Sequence, residues 1–338
     1  MWLEHLPLSV KITLGSLFWL VLISSGHNLL NIEHSERKVV TIGYMPVITN
    51  LAAPLLDHAS KNSRGIRYKA MKFSSFAEMA ESLRNGQIDV AFMIAPLSIV
   101  LRQQGDDVKV VYIGNRHEST LVARTDLGVK SLQDLRGKTI AVPMRYSGHN
   151  LSLHKMLEQQ GLQGEINIVE MNPPDMAAAL SSGALDAYYV GEPFAAQTLI
   201  SGDASLVMHV EDEWNGFICN LGVVRQDLIE REPNTVQQLV SAAARSGLWA
   251  SRYSAKAVKI ASSYWNQPDE LINYALSTPA NRIVYDQFSP REEEMAQIAG
   301  LMKKYGLAEN TDITGLVAAG FAEKVSMDDI TSSIESIL

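Results

Sequence analysis

The feature that most constrains this chain is an internal echo at a fixed spacing of 97 residues. The stretch MAESLRNGQIDVAFMIAPLSIVLRQQG, from Met79 to Gly105, is matched by MAAALSSGALDAYYVGEPFAAQTLISG, from Met176 to Gly202. Met79, Leu83, Gly86, Asp89, Pro96 and Gly105 recur as Met176, Leu180, Gly183, Asp186, Pro193 and Gly202. The same offset lays TIGYMP (Thr41 to Pro46) on KTIAVP (Lys138 to Pro143). Two unrelated helix–turn–strand units would share Gly and Asp at their turns, but not one gapless offset at both ends. The chain is read as two copies of one unit.

In each copy a β-rich run ends at Pro46 or Pro143, and a polar loop opens a helix, predicted over Thr49–Ser60 and Asn150–Gln160. A second strand follows (Ile66–Phe73; Ile166–Met171), then a helix of apolar spacing (Phe76–Leu83; Asp175–Leu180) ended by Gly86 or Gly183. A third strand (Ile88–Ile94; Leu185–Val190) runs into a helix with proline near its first turn. Strands alternating with helices predict a mostly parallel sheet covered on both faces. The fold class is therefore α/β with two lobes, and 338 residues leave room for both.

The stretch Val108 to Leu127 reads as two strands leaving lobe one, which puts the first part of lobe one at 38–127 and lobe two at 128–213. Asn215 to Val224 reads as a further strand, and four helices follow: Pro233–Trp249, Ala255–Trp265, Pro268–Ser277 and Pro290–Tyr305. No Gly/Ser/Pro-rich linker sets this block apart. Residues 214–338 are expected to pack back on lobe one.

The N-terminus has another character. Lys11 precedes an apolar run from Ile12 to Ile23, and the small residues Ser24, Ser25 and Gly26 follow. That is the layout of a secretory signal cut near His27. The rival is an uncleaved anchor, since Leu29 and Leu30 extend the apolar character. Residues 1–26 are a signal peptide or an N-terminal anchor, and export to the periplasm is expected in either case.

In open α/β sheets ligands bind beyond the carboxyl ends of the strands. That rule selects four loops: Tyr44–Asn50, Met93–Pro96, Pro143–Asn150 and Val190–Pro193. The candidate ligand-binding residues drawn from them are Tyr44, Thr49, Asn50, Ile94, Arg145, Ser147, His149, Asn150 and Glu192. RYSGHN (Arg145 to Asn150) offers varied polar groups at a helix N-terminus, a setting that favours an anion. Ser147 or Asn150 also has the bland role of helix cap, which ligand contact does not exclude. His149 is either a contact or a packed ring. Glu192 either starts its helix or accepts a hydrogen bond from a ligand, and its counterpart at the 97-residue offset is Ala95.

Several classes are excluded. A net charge of −8 does not suit a nucleic-acid surface. Cys219 is the single cysteine, so there is no disulfide or cysteine-rich metal site, and its apolar setting reads as structural. HExxH, CxxC, GxSxG and phosphate-loop patterns are absent. No catalytic residue, metal or cofactor is assigned.

The loops carry a resemblance. GYMPVITNLAAPLL, LRGKTIAVPMRYSGHNLSLHKMLEQQGL, NPPDMAAALSSGALDAYYVGEPFAAQ and TPANRIVYDQFSPREEEMAQIAGLMKKYGL span most of the chain beyond the leader. In this order they resemble the substrate-binding proteins of ABC importers of the nitrate/sulfonate/taurine type, a family with bicarbonate- and pyrimidine-precursor-binding members. The resemblance implies a type II periplasmic-binding fold that takes up a small solute and hands it to an inner-membrane ABC permease. It also aligns His149 with an anion contact of nitrate binders. The chain departs from the family at Asn50, where an acidic residue is frequent, and at Asn215, where nitrate-type members carry lysine. A monomeric, non-enzymatic solute receptor is expected. The alternatives are an enzyme on the same fold and a membrane-tethered sensor that serves no permease.

Overall fold

The computed structural model describes residues 7–35 and 37–338. The first six residues of the expected leader lie outside them. From Leu8 to Ser35 the chain is one helix, α1, which runs through the small residues at 24–26 without a break. Its stretch Ser9–His27 is long and apolar enough to cross a membrane, and none of it is buried against the rest of the protein.

The body has two five-stranded sheets. The first copy runs β1 (Val39–Tyr44), α2 (Ala52–Ser60), β2 (Arg67–Lys72), α3 (Phe76–Arg84), β3 (Val90–Ile94), α4 (Ala95–Gln103) and β4 (Val108–Ile113). Then come β5 (Ser119–Arg124), β6 (Thr139–Val142), α5 (Gly148–Gln159), β7 (Asn167–Glu170), α6 (Pro173–Ser181), β8 (Ala187–Gly191), α7 (Phe194–Ser201) and β9 (Ala204–His209). The chain returns through β10 (Asn220–Arg225) and closes with α8 (Gln226–Arg231), α9 (Pro233–Arg252), α10 (Ser254–Trp265), α11 (Asp269–Ser277) and α12 (Glu292–Lys304).

The sheet orders, β2-β1-β3-β10-β4 and β7-β6-β8-β5-β9, are the same arrangement twice. The internal echo is structural: α3 and β3 lie 97 residues before α6 and β8 at both of their ends. The recurring aspartates have one job. Asp89 accepts from the Thr41 N–H at 2.8 Å, and Asp186 accepts from the Thr139 N–H at 2.9 Å, each clamping a strand start to the strand beside it.

One expectation is corrected. The stretch Ser119–Arg124 does not belong to lobe one; as β5 it pairs antiparallel with β8 and β9 in the second sheet. The reason is burial, since Leu121 and Ala123 complete the second lobe's own apolar cluster with Ile140, Val142 and Leu153. In exchange β10 crosses back and lies antiparallel between β3 and β4. Each sheet thus receives one strand from a crossing. The C-terminal helices pack on lobe one: Val240, Trp249, Ala257, Ala261 and Ile272 share a core with Ile42, Leu55 and Leu56.

Candidate functional site

The polar segment Asn115–Glu118 joins β4 to β5 and crosses between the sheets. His117 and Glu118 both have left-handed backbone, with φ of 73° and 66°. Glu118 is fully enclosed. Its Oε2 accepts the Glu192 N–H at 2.8 Å, while its Oε1 has no partner. Gly191, at the end of β8, makes this approach possible: a Cβ there would stand 2.9 Å from Oε1. Burial, then the nearby Glu192 carboxylate, pushes the Glu118 carboxyl up to about 8. It is largely protonated at neutral pH.

Other unpartnered groups gather around it. Six of the ten enclosed side-chain polar atoms without a partner among the described residues are Thr49 Oγ1, Asn115 Nδ2 and Oδ1, Glu118 Oε1, His149 Nδ1 and the Tyr285 hydroxyl. Tyr285 lies beside Asn115 and Glu118, and the Cys219 thiol lies beside Glu118 and 4.0 Å from His149 Nε2. Thr49 presses on Gly114, next to Asn115. Native interiors leave few polar atoms unpaired, so a concentration of them at one place is a candidate site.

His149 faces this cluster from the N-terminal turn of α5. Its Nε2 meets the Ser119 hydroxyl at 2.9 Å, and its ring stands edge-on to Tyr189. Burial holds its pKa down to about 3, so the ring is neutral. Ser147 accepts the Asn150 N–H at 3.1 Å and so caps the helix, and the Asn150 amide donates to the Arg145 carbonyl. Both residues orient His149 by building the turn that carries it.

The other expected residues go elsewhere. Tyr44 lies in the lobe-one core with its phenol toward Asp57. Ile94 is an apolar strand end paired with Asn220. Arg145 is exposed, its cation over the Tyr146 ring. Asn50 uses its whole amide internally, donating to the Met45 and Phe92 carbonyls and accepting from Asn220. Glu192 is likewise occupied: Oε1 accepts from Thr120 at 2.8 Å and Oε2 from the Ala196 N–H at 2.8 Å. Glu192 starts α7, and its carbonyl accepts the Ile48 N–H at 2.8 Å across the lobes.

Arg282, between α11 and α12, pins the arrangement. It donates to Glu211 at 2.8 Å, to Thr120 at 3.0 Å and to the Ser119 carbonyl at 2.8 Å. Asn115, Glu118, Arg282 and Tyr285 were not among the expected site residues. One signal was visible, since NRHEST (Asn115 to Thr120) is a polar run wedged between two apolar strands. Cys219 is buried, and burial pushes its thiol well above the ordinary thiol value. Among the described residues no group of three or more His, Cys, Asp or Glu is placed to hold a metal.

Two equivalent α/β lobes, joined by crossing strands around an enclosed polar cluster, define the two-lobed architecture of periplasmic binding proteins. The chain matches the model of the NMT1-like family over residues 33–263 and belongs to that family. It is 26% identical over 211 residues to the taurine-binding periplasmic protein of Escherichia coli, a match covering 60% of this chain and 64% of that protein. To a putative aliphatic sulfonates-binding protein of Bacillus subtilis it is 23% identical over 316 residues, covering 90% of this chain and 93% of the relative. The ligand-binding component of an ABC-type import system from Staphylococcus aureus superposes with a TM-score of 0.77 at 22% identity, over 86% of this chain and all of that one.

Proposed function

We propose that the protein is an extracytoplasmic solute receptor that encloses a small polar solute between its lobes and presents it to an ABC permease. The observation that carries this is the set of unpartnered polar atoms at the lobe crossing, from Thr49, Asn115, Glu118, His149 and Tyr285. The sulfonate- and taurine-binding relatives favour a solute of that size. It acts as a monomer and by binding alone: the cluster pairs a neutral imidazole with a deeply buried thiol, and no activated nucleophile faces it.

Export is carried by α1, whose side chains Phe18, Trp19 and Ile23 are more than 60% exposed. An apolar surface of that extent calls for a lipid partner. The continuous helix through residues 24–26 suits a retained anchor, and N-terminal sequencing of the exported protein separates anchor from cleaved signal.

A thermal-shift screen of sulfonates, carboxylates, oxyanions and amino heterocycles tests the receptor assignment. A binder at a hundred times its dissociation constant adds about 2.7 kcal/mol of stability. No shift across the panel, or turnover of any member, overturns it.

A further inference from the structure

The two copies of the repeated unit differ in charge along one edge. β2 is the outermost strand of its sheet, and β7 holds the matching place in lobe two. From the end of α2 through β2, Lys61 to Lys72, the sequence has five Lys or Arg and no Asp or Glu. From the end of α5 through β7, Glu158 to Glu170, it has three glutamates and no Lys or Arg. Edge strands carry lysine to discourage pairing with other chains, but that need is the same in both lobes. The basic edge also runs against a net charge of −8 for the whole chain.

What sets lobe one apart is the leader helix. β1 pairs with β2 from Val39 opposite Arg67, so the chain enters lobe one at the start of the basic edge. α1 ends at Ser35 and β1 begins at Val39, a gap of at most about 14 Å. Arg37, within that gap, donates to the Ser60, Lys61 and Gly65 carbonyls and ties the root of the helix to the loop that carries Lys61 and Arg64. Asp57 answers Arg67 at 3.0 Å and reaches Lys61 at 4.0 Å, and Glu232 answers Lys38. Among the described residues no carboxylate forms an ion pair with Arg37, Arg64 or Lys69, and both Arg64 and Lys69 are exposed.

Resting on α1 as a retained anchor, we propose that this end of lobe one is a seat for the anionic lipid headgroups of the bilayer that α1 crosses. The helix keeps the root of lobe one near the membrane, and the cations around the root hold the body down on it. Each Lys or Arg close to an anionic surface favours contact about fivefold, so the three without a carboxylate partner favour the seated body on the order of a hundredfold. The acidic edge of lobe two is repelled by the same surface. The molecule therefore sits on lobe one and leaves lobe two free to move against it.

Amine footprinting of the full chain in vesicles tests this, with acetic anhydride as the probe and either phosphatidylcholine alone or an equimolar mixture with phosphatidylglycerol as the lipid. Lys61 and Lys69 should be acetylated about tenfold or more slowly on the anionic vesicles. Lys130, exposed on lobe two, should react at the same rate on both. Molar salt should abolish the difference, because it shortens the screening length to about 3 Å. Arg64→Glu with Lys69→Glu reverses two exposed charges outside the core and should return Lys61 to its rate on neutral vesicles. If that variant does not fold, the lipid and salt series on the unaltered chain decides the matter. Equal rates on the two lipids, equal slowing of Lys130, slowing that molar salt leaves in place, or slowing of Lys61 that survives the double substitution overturns the proposal and leaves the anchor standing. Failure of the chain to stay with neutral vesicles overturns both. The receptor assignment is tested separately, by the solute screen.

Discussion

Glu118 carries opposing demands on one residue. Left-handed backbone at a non-glycine costs on the order of 1–3 kcal/mol and persists only where surrounding contacts impose it. Here the Glu192 N–H holds both the carboxylate and the carbonyl of Glu118. The raised carboxyl has a consequence for stability. Between about pH 4.5 and 8 the unfolded chain has lost the proton that folded Glu118 keeps, so stability falls as pH rises through that window. The size is on the order of 4 kcal/mol for the enclosed group. His149 acts oppositely: from pH 6.5 down towards 3 the unfolded ring takes a proton that the folded ring refuses. The unliganded protein should therefore be most stable between roughly pH 4.5 and 6.5. Denaturant titrations at pH 5.5 and 8 should show a loss in the wild type that Glu118→Gln reduces; equal losses would place the titrating group elsewhere.

At the scale of elements, the site depends on loops pressed together without room to spare. Gly114 ends the β4 exit, and a Cβ there would lie 2.0 Å from the Thr49 carbonyl oxygen and 2.9 Å from Thr49 Oγ1. Backbone, not a flexible side-chain tip, would have to yield. Gly114→Ala should cost about 1–3 kcal/mol and lower the melting temperature by several degrees. It should also weaken solute binding, because Thr49 moves with the loop. An unchanged melting curve would mean that the crossing segment and the β1–α2 loop are not in register as described. Local signals anticipated much at this scale. The cap of α5 by Ser147, the proline at the start of α4 and the glycine ends of α3 and α6 are all short-range patterns.

For the whole molecule, the seating of one lobe on the other rests on contacts between them. Among them are the Ile48 N–H to the Glu192 carbonyl, the Arg282–Glu211 pair, with Arg282 reaching Thr120 and Ser119, and Glu158 with Lys304 and Tyr305. Arg282 is nearly buried, with Glu192 Oε1 3.8 Å from it. Glu211→Gln removes the bidentate partner but leaves the arginine half-compensated by Glu192. Charged hydrogen bonds of this kind contribute about 1.5–3 kcal/mol, enough to shift a closed–open balance ten- to a hundredfold. Small-angle scattering of the unliganded variant should show a larger radius of gyration than the wild type, and saturating ligand should bring it back. Identical profiles for variant and wild type would remove this pair from the closing contacts.

The 97-residue echo, the strand–helix alternation and the apolar N-terminal run could be read from the sequence because each is written in neighbouring residues. Asp89 and Asp186 recur because each caps the same local clamp. Tertiary structure alone decided which sheet takes β5, since a strand's partners depend on which apolar face it completes and not on its own composition. It also decided which candidate groups come together. Glu192, conspicuous in sequence at the end of a strand, has both oxygens occupied by Thr120 and Ala196. Glu118 was hidden in a connector, and Tyr285, far along the chain, is carried to it by the C-terminal block. Which polar atoms remain unpaired after folding is a non-local property: it follows only when every competing partner has been placed.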